Sequence, residues 1–359
     1  MTKSTLHYFA AALVCASTSA YSVDNTAARP SFTPEGIVEV PAFSLPPSTL
    51  SSAEAQAAMK RRAEMSAEQT RLIEPDVKKA RMALAKWLQP QVDDMLAAYP
   101  VSVDETEVAG VPVRVFTPKH GKFKPDRVLI NLHGGAFQTC WESCSQIESA
   151  PIAVVGGYKV VSINYRMAPE AKHPAGVEDV AAVFSALTED YAPSAIGIYG
   201  CSAGGALTAQ AAAWVPAHGL PSPGAVGIFG AGGVRFGGGD SAYISGYVSG
   251  AFPAPALDGS QIDMTRGYFD GVDMTDPSVS PALYPEVVAT FPPSLLITGT
   301  RAMDLSPAVY TNTQLLKAGV DSTLLVGEGM DHCFIYQNRL PEAREAYDII
   351  ADFFNKKLR

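Results

Sequence analysis

At 359 residues, 47% hydrophobic and 18% charged, the chain has the composition of a soluble globular enzyme and is long enough to bury a sizeable core. A formal net charge of −9, with no basic cluster beyond "KRR" at 60–62, argues against a phosphate-backbone ligand such as nucleic acid. Thirty glycines and 27 prolines indicate many tight connections.

The chain starts "MTKSTLHYFAAALVCASTSAYS", one lysine, an apolar stretch from Leu6 to Ala16 and small residues up to Ala20. This pattern reads as a signal peptide over residues 1–20 and so as an exported, periplasmic or secreted protein; the alternative is a hydrophobic first helix and a cytoplasmic protein. The apolar stretch is too short to span a bilayer, so no stable membrane insertion is expected. Without that segment Cys140, Cys144, Cys201 and Cys333 remain. Export would permit a Cys140–Cys144 disulfide, with buried thiols as the equal alternative, whereas Cys201 and Cys333 are expected as buried thiols. The spacing "CWESC" is no zinc signature, and neither metal nor cofactor is implied.

Residues 21–50, rich in proline from Ser31 to Pro47, read as a linker or surface arm. Helical spacing of apolar residues, Ala80, Leu84, Trp87 and Leu88 among them, predicts helices over 51–72 and 76–98. Alternating valines around Ala109–Gly110 then predict a β-hairpin. Six short runs follow at 127–132, 159–165, 195–199, 225–229, 294–298 and 322–326, most of them continuously apolar, as strands buried on both faces of a parallel sheet are. Helical stretches at 176–190, 203–217, 306–318 and 341–357 separate many of them, which implies an α/β domain with helices on both sheet faces. Residues 231–290 break the rhythm as an excursion, and "YISGYVSGAF" at 243–252 is a candidate pocket lining.

In such a sheet, ligands gather beyond the carboxyl ends of the strands. Ser202 stands there, in "GCSAGG" between the strand at 195–199 and the helix from 203, and Gly200-x-Ser202-x-Gly204 fits a sharp strand-to-helix turn that exposes a nucleophile. A serine needs a base. Of six histidines, His7 falls in the signal segment, His120 in a polar turn and His173 in a loop before Ser202. His218 lies about 24 Å away along the helix. His332, in "GMDHCF" after the last strand, lies at the same sheet edge as Ser202 and is the expected base. Asp304 is the expected acid, between the two in chain order, with Glu328 in reserve and Asp331 poorly placed beside His332. "NLHGGAF" at 131–137 would bring backbone N–H groups to a developing oxyanion.

The ordered motifs "HGGAF" (133–137), "YRMAPE" (165–170), "GCSAGG" (200–205), "TGTRAMD" (298–304) and "EGMDHCF" (328–334) resemble those of the hormone-sensitive-lipase-like carboxylesterases. The resemblance runs from about Val111 to the C-terminus. It implies an α/β-hydrolase fold over 101–359 with an N-terminal helical cap over 51–100. It implies Ser202 as nucleophile, His332 as base and Asp304 as acid. The oxyanion hole would be formed by the N–H groups of Gly135, Ala136 and Ala203, with Gly134 shaping the loop, and Arg166 and Glu170 would tie the site loops together. Three departures stand out: Ala136 replaces a third glycine, Cys201 replaces an aspartate before the nucleophile, and position 302, where some relatives carry the acid, is Ala302.

The reading is a serine carboxylesterase acting on small, short-chain acyl esters through an acyl-enzyme on Ser202. The alternatives are a lactonase or amidase on the same triad, and a non-catalytic small-molecule-binding member of the fold. A small-molecule ester is the expected partner, and the sequence leaves a homodimer open without demanding one.

Overall fold

The computed structural model describes residues 29–60, 74–121, 123–249, 254–258, 260 and 263–359. The signal peptide expected at 1–20 lies outside these residues, as does the part of the first expected helix beyond residue 60. The chain forms two units, residues 1–46 and 47–359. In the first, β1 (Ser31–Phe32) and β2 (Val38–Glu39) make a short antiparallel pair within the stretch expected to be an irregular arm.

The second unit opens with helix α1, described over residues 53–60, and α2 (Val77–Ala98). Asp76 caps α2 by accepting from the N–H groups of Lys78 and Lys79, which would otherwise lack partners. Strands β3 (Val101–Val108) and β4 (Val111–Pro118) pair about Ala109 and Gly110, both at positive φ (51° and 76°), as a two-residue hairpin turn requires.

Six parallel strands follow: β5 (Val128–Leu132), β6 (Lys159–Ile163), β7 (Ile196–Cys201), β8 (Ala225–Phe229), β9 (Ser294–Gly299) and β10 (Ser322–Gly327). Together with the hairpin they form one sheet of order β10-β9-β8-β7-β5-β6-β4-β3, in which β4 runs antiparallel to both β3 and β6. Each lies within two residues of the run that announced it. β7 occupies the middle, between β5 and β8, and each of its residues is buried.

The crossover helices are α3 (Trp141–Gly156), α4 (Ala175–Leu187), α5 (Ala203–Ala217) and α9 (Leu305–Lys317); α10 (Pro341–Lys357) follows the last strand, and the short helices α6 (Asp240–Tyr243), α7 (Ser245–Ser249) and α8 (Pro285–Val288) lie in the excursion. Strand pleating sends Val128, Ile130 and Leu132 of β5 into a core with α4, α5 and α9, and Leu129 into a second core with α2, α3 and α10. Both faces of the sheet are therefore covered, as in an α/β-hydrolase fold.

Helix α3 was not foreseen. It is buried on nearly all sides, carries serines and Glu148 on covered positions and contains Pro151, so no polar stripe alternates with an apolar one. Among the described residues no helix is long and apolar enough to cross a membrane.

Candidate active site

Strand β7 ends at Cys201 and α5 begins at Ala203, so Ser202 alone makes the turn between them, at φ 61° and ψ −124°. A side chain rarely adopts this backbone region, and the strain is held in place by the strand before it and the helix behind it. The turn also presses on β5: a Cβ at Gly204 would lie 1.7 Å from the Leu132 carbonyl oxygen, so only glycine fits there. The Ser202 N–H donates to the Phe229 carbonyl at the end of β8 (2.9 Å), which fixes the turn to that neighbouring strand.

The structure brings the three expected side chains together. Ser202 Oγ and His332 Nε2 are 2.9 Å apart, and His332 Nδ1 and Asp304 Oδ1 are 2.6 Å apart. A carboxylate oxygen can only accept, so the ring proton sits on Nδ1 and Nε2 is left to accept from the serine hydroxyl. The second carboxylate oxygen, Oδ2, accepts from Thr298 Oγ1 at the end of β9 (2.6 Å), and Asp304 is wholly buried. The reserve carboxylate Glu328 instead accepts from Ser48 Oγ (2.7 Å), and the His332 Nδ1 bond goes to Asp304 rather than to the neighbouring Asp331.

Asp304 occupies the N-cap position of α9, yet its side chain does not cap the helix. Ser241, from α6 in the excursion, does so in its place: Ser241 Oγ accepts from the Ser306 N–H (2.8 Å) and donates to the Met303 carbonyl (2.6 Å). The excursion thus braces the Asp304 loop. Tyr243, Ile244 and Tyr247 point to solvent, and residues 250–252 of the candidate pocket lining lie outside the described residues.

The loop after β5 passes through three successive positive φ values, Gly135 at 111°, Ala136 at 53° and Phe137 at 59°. A Cβ at Gly135 would meet the Thr139 carbonyl at 2.2 Å, so this turn depends on glycine. A Cβ built on Gly134 would stand 3.3 Å from Ser202 Cβ, which sets the loop against the turn that holds the serine. Gly134, expected to shape the loop rather than to donate, has its N–H committed to Glu148 Oε1 (2.8 Å). No protein acceptor holds the N–H groups of Gly135, Ala136 or Ala203 among the described residues, the last at the start of α5 where a helix leaves its donors unpaired.

The cysteines require a correction. Cys201 and Cys333, expected as buried thiols, form a disulfide across 132 residues of chain, and Cys140 and Cys144 form another across 4. The longer bridge joins the residue before Ser202 to the residue after His332. Each cysteine fills a buried position between apolar neighbours, so burial alone gave no sign of the pairing.

Arg166 and Glu170, expected to tie the site loops together, instead anchor their loop to two helices. Arg166 binds Asp179 (2.8 Å) and Glu178 (3.1 Å) of α4, whereas both oxygens of Glu170 accept from Arg81 of α2 (2.8 Å each). Arg81 also donates to the carbonyls of Gln138 (2.7 Å) and Ala168 (3.0 Å). His133 is buried in a stack on Tyr165, and burial holds its pKa down to about 4, so it is neutral at physiological pH. Among the described residues no three His, Cys, Asp or Glu side chains could jointly hold a metal ion.

A family model described as the alpha/beta hydrolase fold matches residues 129–336. An acetyl-hydrolase of Streptomyces hygroscopicus is 27% identical over 236 residues, which cover 63% of this chain and 75% of that protein. Matches to other curated relatives span only 30% to 46% of those proteins. Among solved structures, the esterase E25 superposes with a TM-score of 0.76 at 28% identity, covering 89% of this chain and 99% of its own. An esterase of the bacterial hormone-sensitive lipase family shares the fold with a TM-score of 0.72 at 24% identity, over 86% of this chain and all of its own. The five ordered motifs, the sheet order and the family match agree, and the chain belongs to the α/β-hydrolase family.

Proposed function

We propose that the protein is a serine carboxylesterase that hydrolyses small, short-chain acyl esters through an acyl-enzyme on Ser202. One observation carries the reading, the chain of hydrogen bonds from Ser202 through His332 to the buried Asp304. His332 Nε2 takes the serine proton as Oγ attacks the ester carbonyl, and Asp304 stabilises the imidazolium that results. The N–H groups of Gly135, Ala136 and Ala203 donate to the carbonyl oxygen as negative charge develops on it. The tetrahedral adduct collapses as His332 returns the proton to the departing alkoxide, and water then repeats the sequence on the acyl-enzyme to release the acid.

The acetyl-hydrolase named among the relatives supports a short acyl group, and E25 supports an ester as substrate. Leu84, Trp87 and Leu88 of α2 pack with Tyr336 and the Cys140–Cys144 pair, which supports the N-terminal helices as a wall of the acyl pocket. Two disulfides support an oxidising compartment and so the removal of residues 1–20 on export. The test is hydrolysis of p-nitrophenyl esters from acetyl to dodecanoyl by the wild type and Ser202→Ala. Activity that peaks at short chains and vanishes in the variant is expected; equal activity in the two removes Ser202 from the reaction.

A further inference from the structure

Glu148, on the unforeseen helix α3, lies directly beneath the site and has no part in the mechanism above. It is 3% exposed, and both carboxylate oxygens are fully engaged. Oε1 accepts from the Gly134 N–H (2.8 Å) and from Tyr336 Oη (2.6 Å). Oε2 accepts from Asn131 Nδ2 (2.9 Å) and from the Cys201 N–H (3.2 Å). No Lys, Arg or His forms an ion pair with it among the described residues. Burying a carboxylate without a cation is costly, and burial pushes its pKa up to about 7 while the four hydrogen bonds pull it down.

The partners explain the arrangement. Gly134 opens the loop that carries the N–H groups of Gly135 and Ala136, and Cys201 immediately precedes Ser202. One carboxylate therefore spans the two backbone segments whose relative position sets the distance between the serine oxygen and the oxyanion donors. Cys201, the position where the sequence lacks an aspartate before the nucleophile, offers no carboxylate of its own, and its sulfur is tied to Cys333. We propose that Glu148 is a positioning residue of the esterase reaction, a buried carboxylate from α3 that holds the oxyanion loop and the nucleophile turn in register. The proposal rests on the serine-esterase reading.

Glutamine has the same shape, so Glu148→Gln tests it with little change in volume. Three of the four partners are donors that cannot turn round: two are backbone N–H groups, and the Asn131 amide is held by Ser162, which donates to its oxygen (2.7 Å). Only the Tyr336 hydroxyl can reverse to accept an amide N–H. The glutamine NH2 then faces Tyr336, and Gly134 loses its acceptor.

The experiment measures kcat and KM on p-nitrophenyl acetate for wild type, Glu148→Gln and Ser202→Ala. Working sites in the first two are counted by titration with a p-nitrophenyl organophosphate, so a misfolded fraction does not enter kcat. Removing an oxyanion donor outright costs about 100- to 1,000-fold, and displacing a loop by less than a bond length should cost less, so kcat per site is expected to fall roughly 10- to 100-fold. KM should change little. Affinity for a methyl trifluoromethyl ketone, which binds as the tetrahedral adduct, should fall by the same factor as kcat/KM. A wild-type kcat per titrated site overturns the proposal, whether or not fewer sites are recovered. Activity that survives Ser202→Ala overturns the esterase reading instead.

Discussion

Removing the Cys201–Cys333 bridge by Cys201→Ala with Cys333→Ala should destabilise the fold and disarm the site together. The bridge closes 132 residues of chain, and the loss of that closure from the unfolded ensemble amounts to about 5 kcal/mol. The same relation gives about 2 kcal/mol for the 4-residue loop of Cys140–Cys144. Each pair of alanines leaves small voids of similar size, so the difference of about 3 kcal/mol isolates loop length.

Urea unfolding of the wild type and of the two double variants, followed by fluorescence of the 3 tryptophans, measures both losses directly. The 201/333 variant should have clearly the lower midpoint. It should also lose kcat per working site, because the bridge ties the serine turn to the loop of His332 and the 140/144 bridge does not. Equal losses of stability would refute the loop-closure argument. An unchanged kcat would show that the hydrogen bonds of the triad hold its geometry without covalent help.

Asp304→Asn should lower kcat by about 10,000-fold with the protein still folded, since an amide can present its NH2 to His332 Nδ1 and leave the ring in the wrong tautomer; steady-state kinetics and a circular dichroism spectrum check this. Gly204→Ala should abolish accumulation of folded protein, because its Cβ would meet the Leu132 carbonyl at 1.7 Å, and soluble yield is the measurement. A pH prediction follows from two buried groups of opposite sign. Glu148, raised to about 7 in the fold from 4.5, costs stability as pH rises between these values, whereas His133, lowered to about 4 from 6.5, costs stability as pH falls between them. Glu148→Gln removes only the first effect, so between pH 5 and 6.5 the variant should gain on wild type by about 2 kcal/mol; parallel stability-against-pH curves from urea unfolding would contradict it.

The parallel strands were readable because most are short, largely apolar runs, the pattern that burial on both faces favours. Ser202 and His332 were readable because each sits in a loop just beyond the carboxyl end of a strand. Asp304 was readable as the best of three carboxylates, but Thr298, which holds its second oxygen, was not, since one threonine in a strand carries no mark of its partner. Glu148 escaped along with α3. A topological signal was nevertheless present, because β5 and β6 are parallel neighbours and their 26-residue connection must cross the sheet, which a helix does most simply. The Cys201–Cys333 bridge depends on a contact between the ends of two distant segments, which composition and spacing do not encode.

An acid at the N-cap of a helix has two competing offers, the helix's own backbone N–H groups and any more distant donor. Asp304 answers His332 because Ser241 has already answered the helix. The excursion between β8 and β9 is long and glycine-rich, and such a segment invites free exchange by protein engineers. Position 241 is not free in that sense: a replacement without a hydrogen-bonding oxygen leaves the Ser306 N–H without its acceptor, a donor that then competes for the Asp304 carboxylate. Loop exchange in the excursion should therefore carry Ser241 across unchanged, or it will alter the surroundings of Asp304 as well.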